Sequence, residues 1–255
     1  MKIGIALSGG GARGISHMGS LKAFDEFGIK PSALSGTSAG AIVAAMYAYG
    51  YTPEEMLKIL KGKGFLQLFR PAFRWTGILN LDGVRQYLSK LIKENTFECL
   101  HIPLTIAATD IAAGKATYFS AGELLTPVMA SCSIPGIFHP ITIDGKIYVD
   151  GGIVDNLPVK PLKRKVDLVI GLHCNPVEPG YEARNLKEVV ERSMLIAMYT
   201  GTKVRMKKCD LVIEPKQLSK YTVFDIGHAM EIYKIGYRDT LTKLRQFEPE
   251  LKKYA

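Results

Sequence analysis

Ile3-Gly4-Ile5-Ala6-Leu7 runs straight into Ser8-Gly9-Gly10-Gly11-Ala12-Arg13-Gly14, and the reading of this opening decides the fold. A five-residue apolar run closed by glycines has the length and composition of a buried strand. Working outward, residues 16–27 place Met18, Leu21, Phe24 and Phe27 on one helical face, a short strand follows at 33–35, and 39–49 return to a helical pattern. Strands alternating with helices predict an α/β fold with a central, mostly parallel sheet flanked by helices. Thr52-Pro53-Glu54-Glu55 reads as a capping box with proline at the first helical position, opening a helix through Leu60. Asp82 reads as the cap of another helix through Ile92, with no strand between the two. Further strands are expected at 104–109, 116–119, 146–149, 166–172 and 210–213, and helices at 125–132, 186–205 and 227–246. No repeat, linker or composition break interrupts residues 1–255, which predicts a single domain.

With 47% apolar and 22% charged residues, the composition is that of an ordinary globular chain and excludes disorder and low complexity. Lys and Arg outnumber Asp and Glu 33 to 24, a formal net charge of +9 that favours anionic partners such as phospholipid surfaces, nucleic acid or acidic substrates. Cys99, Cys132, Cys174 and Cys209 stand far apart, which predicts reduced thiols in a cytoplasmic chain with no metal knuckle or redox pair. No secretion signal is read at the N-terminus, and the longest mostly apolar stretch, 39–51, falls short of the ~20 residues that span a bilayer.

Three motifs carry chemistry. Gly9, Gly11 and Gly14 satisfy the spacing of a dinucleotide turn between strand and helix, but that fingerprint wants an acid at the end of the second strand, where Leu34-Ser35-Gly36 stands. The alternative is a loop whose bare amides, backed by a helix N-terminus, hold a developing oxyanion. Gly36-Thr37-Ser38-Ala39-Gly40 is a G-x-S-x-G between a short strand and a helix, the setting of a nucleophile elbow. A serine nucleophile needs a base. The chain offers His17, His101, His139, His173 and His228, and also the Asp150-Gly151-Gly152 turn, where two glycines leave a carboxylate open to close approach.

Taken together and in this order, the glycine loop, the G-x-S-x-G and the Asp-Gly-Gly resemble the patatin-like phospholipase family. The small-residue segment 130–140, with Pro135 and Pro140, resembles the stretch that precedes the family's Asp-Gly motif; the resemblance covers residues 1 to about 177. It implies a three-layer patatin-like fold and a lipid acyl hydrolase with a Ser-Asp dyad, independent of calcium and needing no cofactor or metal. By motif position Ser38 would be the nucleophile and Asp150 the base. Gly9, Gly10, Gly11 and Arg13 would form the oxyanion hole, with Gly14, Gly36, Gly40, Gly151 and Gly152 supporting the turns. A non-enzymatic lipid-binding or regulatory module on the same fold is the alternative.

Between Glu55 and Asp82 there is no acid, while Lys58, Lys61, Lys63, Arg70 and Arg74 lie among Phe65, Leu66, Leu68, Phe69, Phe73, Trp75, Ile78 and Leu79. Basic and aromatic residues so mixed suit an anionic bilayer interface, so a phospholipid or other acyl-ester substrate and peripheral membrane contact on the cytoplasmic side are expected, with no nucleic-acid partner.

Overall fold

A computed structural model describes residues 1–62, 70–74, 77–183 and 185–252. The opening reads as predicted: β1 (Ile3–Leu7), a tight 3₁₀ turn at Gly11–Gly14, α1 (Ile15–Glu26), β2 (Ala33–Thr37) and α2 (Ala39–Tyr49). There follow α3 (Pro53–Lys61), β3 (Arg70–Arg74), β4 (Gly77–Asn80), α4 (Asp82–Leu91), β5 (Leu104–Asp110), β6 (Lys115–Phe119) and α5 (Leu125–Cys132). The chain continues through β7 (Ile141–Ile143), β8 (Lys146–Asp150), α6 (Gly152–Asp155), β9 (Leu168–Leu172), α7 (Leu186–Met206), β10 (Leu211–Ile213) and α8 (Ala229–Lys252).

The main sheet runs β10-β9-β1-β2-β5-β8-β7, with β6 also paired to β5. Its β10-β9-β1-β2-β5 stretch is parallel, and β6, β7 and β8 add antiparallel pairings. Every residue of β1, β2, β5 and β9 is buried, as a sheet covered on both faces requires. On one face α1 packs against α8, α2 and α3, and α2 against α5. The β9-α7-β10 crossover steps away from β1 in the direction opposite to β1-α1-β2. The right-handed rule therefore puts α7 on the other face, where it meets α6.

The Thr52 capping box forms as read: Thr52 Oγ1 accepts from Glu55 N at 3.3 Å and Glu55 Oε2 from Thr52 N at 2.8 Å. Two expectations are corrected. Asp82 is the first residue of α4 rather than its cap, which is Leu81 with no side-chain bond. A hairpin, β3-β4, stands where no strand was expected. Its β4 is held by Leu79, whose amide donates to Ile137 O at 2.9 Å and whose carbonyl accepts from His139 N at 3.3 Å, partners far away in sequence. Of the basic and aromatic stretch, Lys63, Phe65, Leu66, Leu68, Phe69 and Trp75 lie outside the described residues.

Candidate active site

Strand β5 brings the two motif residues together. Its Ala107 faces Thr37, the last residue of β2, and its Ala108 faces Asp150, the last residue of β8. Because β2 is parallel and β8 antiparallel to β5, the chain arrives from opposite directions and Ser38 and Asp150 emerge side by side.

Ser38 has φ 52° and ψ −125°. A non-glycine residue held there stores on the order of 1–3 kcal/mol, so the surroundings must enforce it. They do so from three sides. The Ser38 amide donates to Ser131 Oγ at 2.7 Å, and that hydroxyl donates to Ala107 O at 2.6 Å. Ser38 O accepts from Ala41 N at 2.8 Å, starting α2. Gly40 lies on the end of β1, where a Cβ would stand 2.5 Å from both Leu7 O and Ser8 O. A Cβ on Gly36 would stand 2.6 Å from Gly40 O, and one on Gly14 2.7 Å from Ala39 Cβ, so larger residues would lift the elbow off β1. The hydroxyl is thus fixed at the N-terminus of α2, where the helix dipole favours negative charge.

Asp150 is 6% exposed, as is Ser38. Burial pushes its carboxyl up to about 6, while hydrogen bonding from the Ser38 side chain and from the Gly152 amide, at 2.7 Å to Oδ1, pulls the other way. The strand is locked behind it: Asp150 N donates to Ser133 O at 2.9 Å and Thr109 Oγ1 to Asp150 O at 2.9 Å. A Cβ on Gly151 would collide with Ala107 O, and one on Gly152 would stand 2.6 Å from Met198 Cε. The Cys132 thiol also lies beside Ser38; burial, then the Asp150 charge, push it well above its usual range and keep it protonated.

The glycine loop completes the floor. Gly9 N donates to Asn156 O at 3.3 Å and Ala12 N to Val223 O at 2.8 Å. The amides of Gly10 and Gly11 have no protein acceptor among the described residues, and both residues line the cavity above Ser38. Gly11 has φ +55°, which leaves its amide free in a conformation that L side chains rarely adopt. Arg13, expected beside the oxyanion donors, does not line the cavity. Its amide donates to Gly10 O at 3.1 Å, and the tight turn carries its guanidinium away, to Tyr221 O at 2.7 Å and Asn175 Oδ1 at 3.4 Å. Asn175 Nδ2 donates in turn to Gly9 O at 2.6 Å, so Arg13 braces the loop from behind.

Above this floor is a cavity of about 610 Å³. Its polar end holds Gly9, Gly10, Gly11, Ser38, Asp150, Asn156 and Asn175. Its walls are mostly apolar: Ile134, Pro135 and Ile137 after α5, Ile153 on α6, Val190, Met194, Leu195 and Met198 on α7, and Val223 and Phe224 before α8. The charged Glu191 of α7 also lines them, its Oε1 accepting from Val223 N at 3.1 Å. None of the five histidines lines it. The His17 ring donates from Nε2 to Ser8 O at 2.8 Å, and burial lowers its pKa to about 4; His173 pairs with Glu214 at 2.8 Å. Sequence reasoning did not single out Ser131, Asn156, Asn175 or the α7 wall. Asn156 Oδ1 is buried with no partner among the described residues, in a residue that lines the cavity.

The patatin-like phospholipase family profile matches residues 5–163. An uncharacterized NTE family protein of Mycobacterium tuberculosis is 34% identical over 204 residues, 79% of this chain and 56% of that one. A protein named lysophospholipase NTE1 of Eremothecium gossypii is 34% identical over 278 residues, 96% of this chain and 18% of that one. The chain therefore spans about half the length of its mycobacterial relative and under a fifth of its Eremothecium relative. The crystal structure of VipD from Legionella pneumophila superposes with a TM-score of 0.64 at 19% identity, covering 96% of this chain and 67% of that one, a likeness of fold. A family match across the glycine loop, the Ser38 elbow and the Asp150 turn, on a mixed sheet shared with VipD, makes this chain a member of the patatin-like phospholipase family.

Proposed function

We propose that the chain hydrolyses lipid acyl esters through Ser38 and Asp150, by way of an acyl-serine. The observation that carries this reading is a strained serine beside a buried carboxylate at the polar end of a mostly apolar cavity. Asp150 takes the Ser38 Oγ proton as Oγ attacks the ester carbonyl. The Gly10 and Gly11 amides, with the N-terminus of α2, hold the oxyanion. Collapse breaks the bond to the alcohol, which leaves with the proton from Asp150. Water, deprotonated by Asp150, then attacks the acyl-serine, and the fatty acid departs as Ser38 regains its proton. A carboxylate at about 6 is a better base near neutral pH than one at its ordinary 3.8.

The mostly apolar walls suit an acyl chain, and the name of the Eremothecium relative supports a lysophospholipid among the substrates. Leu186, 78% exposed, stands at the cavity with exposed Val190, Ile153 and Phe224. This apolar rim supports entry of substrate from a lipid surface and peripheral contact with the membrane. Among the described residues no helix is long and apolar enough to cross one.

The test is fatty-acid release from a lysophospholipid, from phospholipid vesicles and from a short soluble ester. Wild type should release it, while Ser38→Ala and Asp150→Asn should not, and a mass increment of one acyl group should be trapped on Ser38. Release that survives Ser38→Ala, or that a single histidine substitution abolishes, would overturn the dyad. Lipid capture by a wild type that releases nothing would establish the binding-module alternative instead.

A further inference from the structure

Away from the candidate active site, Lys160, Lys163, Arg164, Lys165 and Lys208 converge with Tyr118 on a second cavity, of about 670 Å³. Four of the cations come from the segment between α6 and β9, the fifth from the turn between α7 and β10. The first segment is no loose tail. Ser35 Oγ donates to Pro158 O at 2.7 Å, Leu162 N to Val159 O at 3.1 Å and Lys165 N to Leu162 O at 2.8 Å, and Val159 and Leu162 are buried. Successive turns thus display the charged side chains from a fixed backbone.

Little in the protein neutralises them. Lys163 reaches Asp210 at 4.0 Å, whereas Lys160, Arg164, Lys165 and Lys208 form no ion pair among the described residues. The nearby Asp155 is already taken, by Arg205 at 3.2 Å and by the Tyr118 hydroxyl at 2.5 Å. Like charges around one concave wall repel each other and focus their field into the cavity, so an anion with several charges relieves the repulsion. Arg164 adds a planar fork that matches two phosphate oxygens, and the lysines add point charges. Tyr118 is the one aromatic residue in the lining, and its hydroxyl is engaged, so the wall lacks the row of stacking platforms that single-stranded nucleic acid uses.

We propose that this cavity is a binding site for a ligand carrying two or more phosphate groups, whether a soluble polyphosphate or the headgroup of a polyphosphorylated lipid. Inorganic pyrophosphate is the probe, titrated calorimetrically at low and moderate salt. Wild type should bind it with an affinity that falls as salt rises. The exposed triple variant Lys160→Gln, Arg164→Gln, Lys165→Gln should bind about tenfold or more weakly while keeping its melting temperature. A control variant, Lys146→Gln, Lys234→Gln, Lys243→Gln, removes the same charge elsewhere and should bind as wild type does. No binding by wild type, or equal loss in both variants, overturns the site. Sedimentation with phosphatidylcholine vesicles, with and without phosphatidylinositol bisphosphate, then separates the sources. Capture lost in the first variant and competed by pyrophosphate identifies a lipid headgroup, and pyrophosphate binding without such capture identifies a soluble anion.

Discussion

Asp150→Asn separates stability from catalysis at one atom. Burial raises this carboxyl from 3.8 to about 6, a shift of about two units, and at ~1.4 kcal/mol per unit the folded protein carries a penalty of about 3 kcal/mol for keeping it ionised. The sign follows from proton counting. Between about pH 4 and 6 the folded state holds the proton that the unfolded chain has released, so stability falls as pH rises through that window, and the full penalty applies above it. An asparagine can still accept from Gly152 N and carries no charge. The variant should therefore be more stable than wild type at pH 8 by up to about 3 kcal/mol, roughly 6–12 °C in Tm for a chain of this size, with the gap closing toward pH 4. Its hydrolysis should be abolished. In the wild type, kcat/KM should be flat above pH ~6 and fall about tenfold per unit below it, since the base must be ionised. Thermal melts at pH 8 and 4.5 and a pH-rate profile on a soluble ester read both effects. An acid limb centred near pH 4, or an asparagine variant no more stable than wild type at pH 8, would refute the reasoning.

Gly10→Ala drives a methyl into Cys174 Sγ and to 2.8 Å from Asn175 Oδ1, displacing a free amide; kcat on a soluble ester should fall on the order of 10²- to 10³-fold, with circular dichroism reporting that the fold persists. Ser131→Ala leaves the buried Ser38 amide without its acceptor, so urea titration should show a loss of about 1–3 kcal/mol, and kcat should fall as the elbow relaxes. Leu186→Asp with Phe224→Asp should lower release from vesicles by about tenfold or more while hydrolysis of a short soluble ester stays near wild type, because only the vesicle reaction needs the apolar rim.

What the sequence made legible is what it writes locally. The α2 and α5 boundaries coincide with the apolar patterns at 39–49 and 125–132, and the opening strand, loop and helix follow one another as the glycines and periodicity indicate. Ser38 and Asp150 stand out because close-packed turns demand glycines around them. The β3-β4 hairpin and the three-residue β7 escaped because β4 is held by Ile137 and His139, far away in sequence, and because the β7 run is too short for a period to develop. The predicted end of the last helix at 246 also fell short: α8 continues through Pro249 to Lys252, with its face packed on α1. The rest of the site is assembled over long separations. Asn175 reaches Gly9 across 166 residues and Arg13 reaches Tyr221 across 208. A buried amide or a helix wall of that kind has no spacing that marks it in advance.

The apolar cavity and the basicity of Asp150 have a common cause. Desolvation is the leading influence on that carboxyl, and part of the desolvating wall is the same α7 that lines the cavity: Met198 lies against Gly152, whose amide holds Asp150 Oδ1. An acyl chain filling the cavity displaces water from the remaining open side and strips the carboxylate further. Binding of the chain should then raise the base's pKa in the complex above its value in the free enzyme. In the proposed mechanism the acyl chain should thereby contribute to the proton-transfer step as well as to affinity. A short soluble ester leaves that side wet, so the acid limb of kcat should stand at higher pH for a long-chain ester than for a short one. The acid limb of kcat/KM, which belongs to the free enzyme, should coincide for the two.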